Sequence, residues 1–301
     1  MIASVGLALA TTSATPARAA EPAVVRAPTC DPSDARAPID LGQVRYLDPA
    51  CRRSGWLGLD VGGVVLPARL GLFDRTVWTL RMGPAWAIRL APWLSLGGRH
   101  GLSWYDAGNV RLRVHDHQLE AAAHPLVASG HARMHDRLAI GVETHTVLLA
   151  RVDGLDFKLG GVRDVVAYAG YGISHRLSRR WSLAWHLQLR HAWVFVDTQR
   201  QLRAGVRASF EPRPGHRLAL EALAYGIHRN PRQAGTQMPR TSLHAQIAGE
   251  YAWLSRHGVG PSLRLRYATG FLAGEAPIYE VREESLSTSY VDLTIGLRAR
   301  W

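Results

Sequence analysis

LSTSYVDLTIGLRARW, residues 286–301, decides how the chain folds. Counting back from the end, Trp301, Ala299, Leu297, Ile295, Leu293 and Val291 alternate with Arg300, Arg298, Gly296, Thr294, Asp292 and Tyr290. Successive strand side chains point to opposite faces, so this stretch has one apolar face and one polar or charged face. The same period runs through the rest of the chain from Trp56. Trp181, Leu183, Trp185, Leu187 and Leu189 alternate with Ser182, Ala184, His186, Gln188 and Arg190. Leu263, Leu265 and Tyr267 alternate with Arg264, Arg266 and Ala268. These runs reach about ten residues, against five or six for ordinary strands, which is the length a tilted membrane strand requires.

The spacing predicts about twelve strands. They fall at 56–65, 76–90, 93–106, 109–125, 137–152, 162–177, 181–197, 200–211, 216–229, 241–254, 259–272 and 286–301. Tight connections mostly alternate with longer polar ones at 153–161, 230–240 and 273–285. That alternation suits an up-and-down barrel with short turns at one end and loops at the other. The pattern slips within 109–125, where Val110, Leu112 and Val114 set one phase and Leu119, Ala121 and Ala123 the other, so a bulge is expected in that strand. In 216–229, Leu223 and Ile227 sit opposite the apolar face and are expected to meet a plug or loop.

No uncharged apolar run reaches the ~20 residues of a transmembrane helix. With Lys+Arg 36 against Asp+Glu 24 the net charge is +12, but the arginines are spread along alternating strands rather than clustered, which excludes a nucleic-acid interface. Residues 1–19 hold an apolar run, which no Lys or Arg precedes, and an Ala17-Arg18-Ala19 site, as in a secretory signal peptide. Residues 20–55, rich in Pro, Ala and Asp, read as a periplasmic extension or plug. Cys30 and Cys51 are expected to pair there, closing a loop worth about 3 kcal/mol in entropic models. Residues 56–301 are left for the barrel.

Thr294, Gly296, Ala299 and Trp301 occupy the places of the C-terminal signal of Gram-negative outer-membrane barrels, which this tail resembles. The resemblance implies reading by the barrel-assembly machinery, an outer-membrane lipid environment and both termini in the periplasm. It identifies a class and no particular family.

Phase places Arg81, Arg89, Arg99, Arg111, Arg113, Arg151, Arg190, Arg203, Arg207, Arg264, Arg266, Arg298 and Arg300 in the lumen. It adds His115, His117, Glu143, His145, Asp164, His186, Glu221, His244, Glu250 and Asp292. The surplus of Arg over carboxylate in that set favours a wet lumen, and hence a passive channel for small polar or anionic solutes. A closed structural or complex-forming barrel is the alternative, and a lipid-acting hydrolase a second one. The hydrolase reading is weakened because no His-x-Ser occurs and because His100 and Ser103 differ in parity. No cofactor is expected. His115 and His117 share one face, but a metal would need a third ligand from another strand, so no metal site is assigned.

Overall fold

The computed structural model describes residues 55–66, 77–91, 93–106, 110–129, 134–152, 154–157, 163–178, 180–194, 197–213, 215–231, 240–253, 255, 259–270 and 289–300. These form a closed antiparallel barrel of twelve strands. In chain order they are β1 (Gly55–Leu66), β2 (Val77–Ala91), β3 (Leu94–Asp106), β4 (Val110–Ala123), β5 (Met134–Val152), β7 (Arg163–Arg176), β8 (Trp181–Trp193), β9 (Asp197–Arg213), β10 (His216–Pro231), β11 (Thr241–Trp253), β12 (Val259–Ala268) and β13 (Tyr290–Arg300). A three-residue β6 (Leu155–Phe157) folds back on the end of β5 and takes no part in the wall.

Each wall strand pairs with its sequence neighbours, and β13 returns to β1 to close the ring, from Trp56 opposite Arg300 to Val65 opposite Val291. Closure leaves no sheet edge, which is what a strand protein needs where water cannot satisfy backbone groups. The outward face is apolar. Leu243 is 80% exposed, Ile140 63%, Leu189 61% and Ile295 59%, and such a band is stable only against hydrocarbon. Aromatic rings gather near the turn end of this band. Trp181 and Phe210 tilt together at 4.6 Å, and Tyr251 and Trp253 flank His216. A ring with a polar tip settles at a membrane interface.

The strand boundaries match the sequence reading closely, while two local features differ. β4 keeps one phase throughout, with Val114, Gln118, Glu120 and Ala122 buried and Leu119 exposed. The extra residue lies on β5 instead: Arg113 pairs with Leu149 but Val114 with Val147, so Leu148 is the bulge. The expected slip inside 109–125 is therefore corrected. Val114 faces inward and packs with Tyr105 and Val147, an apolar cluster in the lumen that imitates a lipid-facing run. Leu223 and Ile227 also face inward and are buried with Tyr225, whose hydroxyl donates to the Gly270 carbonyl.

The described residues of the β4–β5 connection gather around one histidine. His124 bonds Ser95 Oγ at 3.0 Å and the Asp136 carbonyl at 2.8 Å. Asp136 in turn accepts from the Leu126 amide at the start of the single-turn helix α1 (Pro125–Ala128). Cys30, Cys51 and Trp301 lie outside the described residues.

Candidate functional site: the barrel interior and the outer face of β3 to β5

The inward side chains form linked ion-pair clusters. In one, Arg190 of β8 forks onto Glu143 of β5, at 2.9 and 2.7 Å, and its Nε donates to Gln201 at 3.1 Å. Such two-bond guanidinium pairing is the strong, directional form of the contact. His145 Nδ1 meets Asp116 at 2.8 Å, and Ser103 Oγ donates to the same carboxylate at 2.8 Å. Gln118 donates to the Tyr168 hydroxyl at 2.8 Å, which donates on to Glu120 at 3.0 Å. Arg137 also pairs with Glu120. The Tyr168 ring fits over Gly141, where a side chain would collide with it.

A second cluster centres on Glu221, with Arg264 at 3.3 Å, Arg207 at 3.5 Å and Arg203 at 3.9 Å. Arg207 also reaches Glu250 at 3.0 Å. The third joins Arg81 at 2.5 Å and Arg266 at 2.6 Å to Asp292 of the closing strand, with Arg266 over the Tyr290 ring at 5.1 Å. Several of these pairs skip a strand: β5 to β8, β9 to β11, β2 to β13. They therefore bridge over the intervening strand on the inner wall.

The fill is dense. Arg203 and Arg190 are 6% exposed, Arg207 4% and Arg266 8%. Among small barrels, eight strands are just filled by ordinary side chains and sixteen leave a channel. Here long buried arginines held by carboxylates line a bore of intermediate size. Arg89, His186 and His244 also face inward, and His244 bonds Ser242 Oγ at 3.0 Å. Thr294 and Gly296 lie on the inner face of β13, Thr294 donating to Asp292 at 3.2 Å. Arg298 and Ala299 pair with Gly58 and Leu57 along the closing seam.

Five residues assigned to the lumen lie outside it. Arg111, Arg113, His115 and His117 pair across β4 with Asp106, Trp104, Leu102 and His100 on the outward face. Arg151 shares that face, opposite Arg111. The cause is the bulge, which the sequence reading placed on the wrong strand. The correction removes three arginines from the interior and adds carboxylates that the reading missed, Asp60, Asp116 and Glu120. Three buried arginines that the reading also missed, Arg137, Arg217 and Arg229, face inward, so the interior surplus of positive charge is reduced only by the three carboxylates. The signal for Asp116 was present in its place between two histidines of opposite parity, but only the position of the bulge says which parity faces in.

On the outer face His100 and His117 meet Nδ1 to Nδ1 at 3.0 Å, with His115 6.0 Å from His117 ring to ring. Thr144 and Thr146 lie opposite His117 and His115 on β5. Charge facing lipid costs about 2–4 kcal/mol at the bilayer centre and about 0–1 near the interface. Ser103 is fully buried on the inner side, so it cannot join His100 in an outward hydrolytic pair.

No protein-family model matches the chain, and no curated protein matches it. Among solved structures, the transport unit of the autotransporter AIDA-I from Escherichia coli superposes with a TM-score of 0.51 at 11% identity, over 83% of this chain and 91% of that one. The fold is that of outer-membrane β-barrels. The translocator domain of autotransporter NalP from Neisseria meningitidis gives 0.49 at 8% identity over 82% and 88% of the two chains. The KdgM porin in complex with disordered oligogalacturonate gives 0.45 at 7% over 81% and 99%.

Proposed function

We propose that this chain is an outer-membrane barrel with a closed lumen, acting as a structural or complex-forming protein through the surfaces it presents rather than as a pore. The observation that carries the reading is the packing of buried Arg–carboxylate pairs on the inner wall, above all Arg190 on Glu143 and Arg207 between Glu221 and Glu250. A channel for anions needs cations with capacity to spare, whereas these guanidinium groups already hold carboxylates. Membrane placement rests on the lipid-suited outer band and on the resemblance of the C-terminal residues to an assembly signal. That signal makes the barrel-assembly machinery a partner and puts both termini in the periplasm.

Liposome swelling tests the closed lumen. Vesicles carrying the refolded full chain should swell in arabinose or potassium gluconate no faster than empty vesicles. Fast swelling in gluconate would restore the second reading, a passive channel for small polar or anionic solutes lined by these arginines.

A further inference from the structure

The outer face of β3 to β5 carries polar and charged groups where its neighbours carry leucine and tryptophan. Toward the barrel end away from the termini, β4 presents Arg111, Arg113, His115 and His117 in one outward row. Trp104 lies opposite Arg113, so the row starts beside an aromatic of the kind found at headgroup level and descends into the apolar band. Asp106 engages Arg111 at 3.0 Å and Asp156 engages Arg151 at 3.6 Å, both at the rim. Arg113 has no carboxylate within ion-pair distance among the described residues. Arg111 and Arg151 also stand directly opposite each other, an unfavourable placement for like charges that an anion between them would relieve. The 3.0 Å Nδ1 contact between His100 and His117 places two imidazoles side by side on this face.

We infer that this row is a docking site for the phosphate of a phosphorylated glycolipid headgroup in the membrane. The arginine side chains are the donors suited to phosphate, and the imidazoles add donors just below them. The two threonines on β5 offer hydroxyls for sugar oxygens, and the flanking Leu102 matches acyl chains. A lipid fits better than a second protein copy because the row is basic throughout and would repel itself across a two-fold axis. The inference rests on the membrane placement proposed above and is independent of whether the lumen is closed.

The test places the full chain in phosphatidylcholine nanodiscs containing bis-phosphorylated lipid A, or the same lipid with its phosphates removed, and counts lipid retained per barrel by native mass spectrometry. Heat-modifiable gel migration, read on the same samples, reports membrane insertion separately. Wild type should retain the phosphorylated lipid. An Arg113→Gln, His115→Leu, His117→Leu variant should retain roughly tenfold less, the loss of one or two charge-assisted bonds. Because its substitutions lower the polarity of a lipid-facing surface, it should insert as well as wild type. Arg213→Ala, at the opposite end of the barrel, should bind as wild type does. Equal retention by the triple variant, equal retention of dephosphorylated lipid, displacement by orthophosphate, or a wild-type dimer that the triple variant dissolves would each overturn the assignment.

Discussion

At Glu143 the carboxylate takes both terminal nitrogens of Arg190 while Gln118 reaches it at 3.3 Å. Removing one member of a buried pair strands the other charge, which costs about 3–5 kcal/mol. Glu143→Ala should therefore lower unfolding stability in urea by that order, while Glu143→Leu combined with Arg190→Leu should lose markedly less. Equal losses would show that the pair is not energetically coupled. A second comparison checks the face assignment directly. His145→Leu removes a partner of half-buried Asp116 and should destabilise the barrel, whereas His117→Leu on the lipid face should leave stability unchanged or raise it. The reverse order, read by the temperature at which the folded gel band disappears, would put β4 in the opposite phase. Strict alternation alone placed Arg190, Arg207, Arg266, Glu143 and Asp292 correctly. It failed at Arg113 and His117 because the inner face of β4 carries Leu112 and Val114, as apolar as any lipid-facing run. Only the packing of Val114 on Tyr105 and Val147 tells them apart.

The elements were legible because membrane strands are long and uniform in period, so their ends fall where the alternation stops. What the sequence hid was the single extra residue, Leu148: a bulge in β5 and a slip in β4 produce the same mismatch between two strands when each is read separately. Strand-to-strand fit also depends on glycines that no pattern marks out. A Cβ at Gly141 would lie 2.8 Å from the Leu119 carbonyl and collide with the Tyr168 ring, whereas one at Gly226 would meet nothing within 4 Å. Gly141→Ala should cost about 1–3 kcal/mol through overpacking, and Gly226→Ala should be close to neutral. Denaturation midpoints of the two variants in the same detergent check this, and matching midpoints would remove the Tyr168–Gly141 fit from the account. For the closing strand, the resemblance of its tail to an assembly signal predicts that Trp301→Gln lowers the yield of heat-modifiable protein in cells without changing the stability of what does fold.

Taken whole, the molecule is a cylinder whose charges are sorted by side. Inside, arginines and carboxylates pair between adjacent and next-but-one strands along the wall. Outside, an apolar band is interrupted by the basic row on β4. Part of the positive charge counted along the sequence thus sits on one outer face, and the buried inner arginines hold carboxylates, which moves the expected behaviour from conducting to sealed. Planar-bilayer recording of the refolded full chain tests that claim most directly. The account predicts no steady conductance in symmetric potassium chloride for wild type, and current steps only after Arg190, Arg207 and Arg266 are all truncated to alanine. A steady wild-type conductance whose reversal potential in a salt gradient favours chloride would contradict it.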